Sequence, residues 1–335
     1  MSRTIHIAPD TSAAEMLREA GILPESGVPS HMAVFVEQAE AILEKLRDVI
    51  AVGEVEEHRG PEFQQLLIDI AARIMSHPIV AGNRYLKRFA EDVSLAQARH
   101  ECRQFSIFAL QFDVAQAKLV SNAPTYDAYV ERLHVLLNEK GIPYKDGFEG
   151  ELTGHWRMGS VHFSWMLNMG KGLGLEFEDL GKIWLALPGT KAFVDATFNN
   201  YASIDPNVAE GAAFAIENWA ANYLWKPWIA GMEQLNATLP KPVDLGYLKY
   251  HNLEEEHHSQ ATLDELLESF TEPWFDADRF LEGAEAMLTD GVQAYYVSQL
   301  ASLPEKDDTW PATAFEPRAF DPEAIPRIAG EKVVA

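Results

Sequence analysis

The residues best suited to chemistry gather between His251 and Gln260, where HNLEEEHHSQ supplies three carboxylates and three imidazoles. Groups of this kind hold protons or metal ions, provided that they share a direction. Helical residues advance about 100° each, so with His251 at zero, Glu255 falls at about 40° and His258 at about −20°. Leu248 and Leu266 fall at about 60°, placing that sector beside the apolar side of the helix. Glu256 and His257 point elsewhere, and Glu254 lies at the margin. The stretch therefore divides into an inward triad, His251, Glu255 and His258, and a solvated remainder. A wet face carrying two surface histidines is the competing reading of this spacing.

Two further stretches offer partners. In NVAEGAAFAIENWAANYLW the carboxylate of Glu217 is flanked one turn away by Ala213, Phe214, Ala220 and Ala221. Such a group is costly to desolvate unless it is paired, and a metal ion is an effective partner. In ELTGHWRMGSVHFSWMLNMG, helical phase places Glu151, His155 and His162 within about 40° of one another, beside the apolar stripe of Met158, Trp165 and Met169. The collected candidates are Glu151, His162, Glu217, His251, Glu255 and His258. A mixed carboxylate and imidazole set suits iron, with manganese also admissible, and a helical bundle core can hold two such ions. Zinc more often draws cysteine or a compact histidine set. Trp165, Met169, Trp219, Phe214 and Tyr247 are expected to line the adjoining pocket.

These side chains need helices to carry them, and the sequence provides them. Apolar residues recur every three to four positions in segments starting at Met32, Phe63, Ser94 and Tyr126, and again in the segments holding the candidates. No stretch alternates with period two. The expectation is an all-α protein: one bundle of about eight helices over 31–303, preceded by an extended arm over 1–30 and followed by a proline-rich tail over 304–335. With 47% hydrophobic residues the chain can bury a substantial core. Its net charge of −24 argues against nucleic acid and anionic membranes as partners. A single cysteine, Cys102, excludes an internal disulfide framework. There is no apolar leader or bilayer-length apolar run, so a soluble cytoplasmic protein is expected.

The order of the candidate residues resembles that of the haem-oxygenase-like diiron oxidases, which share a helical fold with the oxidase of pyrroloquinoline quinone biosynthesis and with thiaminase-type proteins. That family typically carries Glu and His on one core helix, Glu on the next and H-x3-D-x2-H on a third. Here Glu151 and His162, Glu217, and His251-x3-Glu255-x2-His258 follow the same order. MSHPIVAGNRYL, the pair Gln104-Phe105 and HFSWMLNMGKGLGL are similar to softer family features. The resemblance spans about residues 65 to 300. Glu255 stands where the family usually has Asp, and Glu139 in LLNEKG is a second place for the first glutamate; Glu151 is preferred on helical phase. The resemblance implies a haem-oxygenase-like bundle holding two Fe(2+) per chain. The implied activity is an O2-dependent oxygenase or oxidase of a biosynthetic type, acting on a small amine, amino acid or fatty acid by N-oxygenation, desaturation or C–C cleavage. Relatives are often dimers, so a homodimer is a further expectation. Competing readings are a ferritin-like diiron carboxylate site built on Glu101, Glu131, His134, Glu217, Glu255 and His258, a metal-free enzyme of the same fold with Cys102 as the only candidate nucleophile, and a non-catalytic binding protein.

Overall fold

Polar caps set where many of the helices begin. Ser12, Asn83, Thr125, Asp205 and Asp276 each accept a backbone N–H of the first turn, and Ser94 does so within a reciprocal capping box with Gln97. In the computed structural model, which describes residues 11–142, 159 and 161–306 (without the side chains of Asn222 and of 254–261), helices fill most of the described residues. They are α1 (Ala13–Glu19), α2 (Ala33–Ala51), α3 (Arg59–Ile70), α4 (Pro78–Ala81), α5 (Arg84–Glu91), α6 (Leu95–Ser121), α7 (Tyr126–Glu139), α8 (His162–Gly172), α9 (Pro188–Ala196), α10 (Pro206–Trp219), α11 (Trp225–Asn236), α12 (Gly246–Thr271), α13 (Ala277–Ala286) and α14 (Ala294–Ala301). No strand occurs among the described residues. The protein is all-helical, as the periodicity predicts.

The division is finer than eight helices because several long amphipathic runs pass through π-helical turns. One such turn, Ala220–Leu224, joins α10 to α11, and another, Met287–Gln293, joins α13 to α14. The middle of the expected N-terminal arm is helical and not extended. Ala13, Met16 and Leu17 have helical spacing and are fully buried in α1, which packs on α2. Residues 1–10 and the tail from 307 onward lie outside the described residues.

The long helices α6 and α12 run through a core dominated by aromatic rings. Phe105 of α6 packs edge-on against Trp225 and Trp228, and Phe108 stacks on Phe193 of α9. Gln104, beside Phe105, ties α6 to α9: its Oε1 accepts the Leu187 N–H and the Thr190 hydroxyl. Helices α10 and α13 approach at glycines. A Cβ at Gly211 would lie 1.8 Å from the Phe280 carbonyl oxygen, and one at Gly283 would lie 2.2 Å from that of Val208. Only glycine allows this backbone contact, which fixes α10 and hence Glu217 relative to the bundle.

Candidate metal centre

Helix α7 ends in a Schellman cap. Gly141 adopts φ +85°, the Gly141 N–H reaches Asn138 O and the Ile142 N–H reaches Leu137 O. The cap leaves Glu139 as the last helical residue of α7. Helix α8 opens at His162, after Val161 in extended conformation. His251 lies in the second turn of α12. These three residues meet: one ligand atom from each of Glu139, His162 and His251 lies within 4.8 Å of the others. His162 and His251 are buried.

His162 Nδ1 stands 3.1 Å from Glu139 Oε2 and is fully shielded from solvent. His251 Nε2 stands 3.5 Å from Glu139 Oε1. On its other side, His251 Nδ1 lies 2.7 Å from the Tyr247 carbonyl oxygen. A carbonyl only accepts, so Nδ1 carries a proton and Nε2 is the ring nitrogen that faces the carboxylate. This is how metal-binding histidines are usually held. Trp165 stacks on the His162 ring at 4.7 Å, Tyr250 meets it edge-on, and Trp225 lies against His251. Asn138 Nδ2 donates to the Tyr250 hydroxyl at 3.0 Å. That pair immediately precedes Glu139 and His251 and clamps α7 to α12.

Burial by itself would raise the Glu139 carboxyl; hydrogen bonding to His162 and His251 outweighs it and holds the group well below the ordinary carboxylate range. Helix geometry opposes the arrangement. A carboxylate at a helix C-terminus and an imidazole at a helix N-terminus each face the unfavourable end of the dipole if charged. An ionised Glu139 together with two imidazoles is a donor set of the kind that holds divalent cations.

Beside the group lies a cavity of about 60 Å³ with Glu139, Glu217 and His251 among its lining residues. Phe105, Trp219 and Trp225 contribute to its aromatic wall. It is small beside the roughly 300–1,000 Å³ of ordinary ligand pockets. Glu217 is half-buried on the cavity side of α10, just before the π-turn whose Ala220 and Leu224 also line the space.

Of the residues singled out in the sequence, the structure brings together His162 and His251, with Glu217 on the cavity that His251 lines. The backbone of α12 is continuous through Glu255 and His258, whose side chains lie outside the described residues, as do Glu151 and His155 altogether. The carboxylate that meets His162 and His251 is Glu139, the residue set aside on helical phase. That preference treated the chain as if phase carried across from α7 to the histidine. The two helices are separate, and their packing sets the angle between Glu139 and His162. Among the expected pocket residues, Trp219 and Tyr247 line the cavity, Trp165 covers His162, and Phe214 and Met169 belong to the packed core.

The ferritin-like set does not assemble among the described residues: Glu131 is exposed, and Glu101 is buried against Tyr295. Cys102 is fully buried near Met166, and burial, followed by the charge of Glu101, pushes its thiol up to about 12. No thiolate is available there at neutral pH. A comparison with models of known protein families finds no match, and neither does a comparison with curated proteins.

Proposed function

We propose that Glu139, His162 and His251 hold a redox-active metal ion, most simply iron, in an O2-dependent oxygenase or oxidase of haem-oxygenase-like fold acting on a small organic substrate. The observation that carries this reading is the convergence of the three ligand atoms, with the His251 tautomer set by the Tyr247 carbonyl. Two histidines and one carboxylate form a donor set suited to non-haem Fe(II). Bound there, iron would supply the activation of dioxygen. Glu139 would contribute the negative charge, His162 and His251 the neutral nitrogen donors. The aromatic wall would exclude bulk water and leave room for a ligand the size of dioxygen. In the dinuclear form, Glu217, on the same cavity, would bind a second ion together with Glu255 and His258, which follow His251 by about one and two turns along α12.

Because Glu139, His162 and His251 already make a complete three-donor set, a mononuclear iron oxygenase is the second reading. Anaerobic Fe(II) titration separates the two. The expected end point is about two ions per chain for the dinuclear centre, followed by O2 consumption on mixing with air. An end point near one ion, with O2 still consumed, selects the mononuclear site. Glu139→Gln and His251→Ala should each weaken Fe(II) binding by about 100-fold or more, since even supporting partners of ligands are worth about 10–100-fold. Absence of Fe(II) binding, or tight binding of zinc alone with no O2 consumption, overturns the reading.

A further inference from the structure

A second group of ionisable side chains lies outside the metal centre. Glu101 of α6 is fully buried and forms no ion pair among the described residues. Its Oε1 accepts a hydrogen bond from the Tyr295 hydroxyl at 3.1 Å, and the Tyr85 phenol also faces it. Its Oε2 has no aligned partner, and the same is true of the buried hydroxyls of Tyr85 and Tyr296. An acid placed here without a cation costs several kcal/mol relative to an apolar side chain of similar shape. Packing alone does not account for it.

The rings around Glu101 form a continuous path. Tyr295 meets Tyr296 with centroids 4.9 Å apart, and Tyr296 meets Trp219 at 5.9 Å. Trp219 lines the cavity beside Glu139 and His251. Electrons pass readily between aromatic rings at such separations. A phenol that loses an electron becomes a strong acid, so in a dry core it is oxidised only where a base in hydrogen-bond contact takes the proton. When Glu101 is ionised, Tyr295 has such a base at 3.1 Å, within the reach of direct proton transfer.

We infer that Tyr295 and Glu101 form a one-electron redox site, connected to the cavity through Tyr296 and Trp219. The step begins with an oxygen-derived one-electron oxidant in the cavity, which gains one electron from the Trp219 indole. The indole is refilled through the Tyr296 ring by Tyr295, and the Tyr295 hydroxyl proton moves to Glu101 Oε1. The products are the reduced oxidant, a neutral phenoxyl radical at Tyr295 and a neutral carboxylic acid at Glu101. The site would keep oxidising equivalents away from the metal ligands. It requires only the chain and an oxidant, whatever the cavity binds.

Pulse radiolysis of the metal-free protein at a pH well above 7, where Glu101 is ionised, tests this, with azide radical as a small diffusible oxidant that attacks tryptophan. In the wild-type protein, indolyl absorption should decay by a first-order step into phenoxyl absorption that outlasts ascorbate, which removes radicals on exposed rings such as Tyr126. Tyr295→Phe should lose this protected phenoxyl. Glu101→Gln, which keeps the hydrogen bond and cannot take the proton, should lose it too, whereas Tyr85→Phe should retain it. Trp219→Phe should slow its appearance. Thermal unfolding and circular dichroism establish that each variant is folded, and Tyr295→Phe, which deletes one hydroxyl, decides alone if Glu101→Gln misfolds. A protected phenoxyl at wild-type yield in Tyr295→Phe, or its loss in Tyr85→Phe instead, overturns the assignment.

Discussion

Glu139 and Glu101 are both buried carboxyl groups, and their surroundings drive them in opposite directions. Two imidazoles keep Glu139 ionised, whereas burial raises Glu101 to about 7, against an ordinary value of 4.5, with the Tyr85 and Tyr295 hydroxyls only partly offsetting it. Between those two values the folded protein retains a proton at Glu101 that the unfolded chain has released. Stability therefore falls as pH rises through this window and levels off above it, a linked change of about 3 kcal/mol. Glu101→Gln should abolish that decline and stabilise the protein at pH 8 much more than at pH 5, as denaturant unfolding at the two values would measure. The sequence made these two residues unequally visible. Glu101 has Ala98 and Phe105 at helical spacing, the same signature that drew attention to Glu217. Glu139 carries no such mark, because a residue at a helix end takes its direction from the neighbouring helices.

Among the elements, the junction of α7 and α12 governs the proposed metal centre. Asn138 and Tyr250 join these helices one residue before Glu139 and His251, and the Tyr250 ring also abuts His162. Tyr250→Phe preserves the ring and removes the hydroxyl. The expected cost is about 1 kcal/mol in unfolding free energy, together with about 10–100-fold weaker Fe(II) binding. Calorimetric titration beside a thermal melt would report both, and unchanged affinity would show that the clamp does not position the ligands. The helices themselves were legible from apolar periodicity: α2, α6, α7 and α12 lie close to where it places them. The π-turns were not, since an extra residue in one turn leaves the apolar pattern nearly intact while rotating every side chain beyond it. The π-turn after Glu217 separates the α-helical phase of that residue from that of Trp225, although both line the cavity.

At the scale of the whole molecule, fold class could be read from the chain because period-3.6 patterning recurs across it and period-2 patterning is absent. The assembly of the site could not, because it depends on how α7, α8 and α12 cross. That assembly has a topological consequence. A third of the chain lies between Glu139 and His251, and with Cys102 as its single cysteine the protein has no internal disulfide to bridge such a span. An ion bound by both residues would act as a cross-link, closing one long loop and, through His162, a shorter one inside it. Closing long loops restricts the unfolded chain most, so the ion would stabilise the fold beyond its local contacts. Loading with Fe(II) at about 100 times its dissociation constant should add about 2.7 kcal/mol to unfolding, seen as a higher melting temperature that a chelator reverses. In a chain that cannot knot itself with sulfur, the metal would be the fastener.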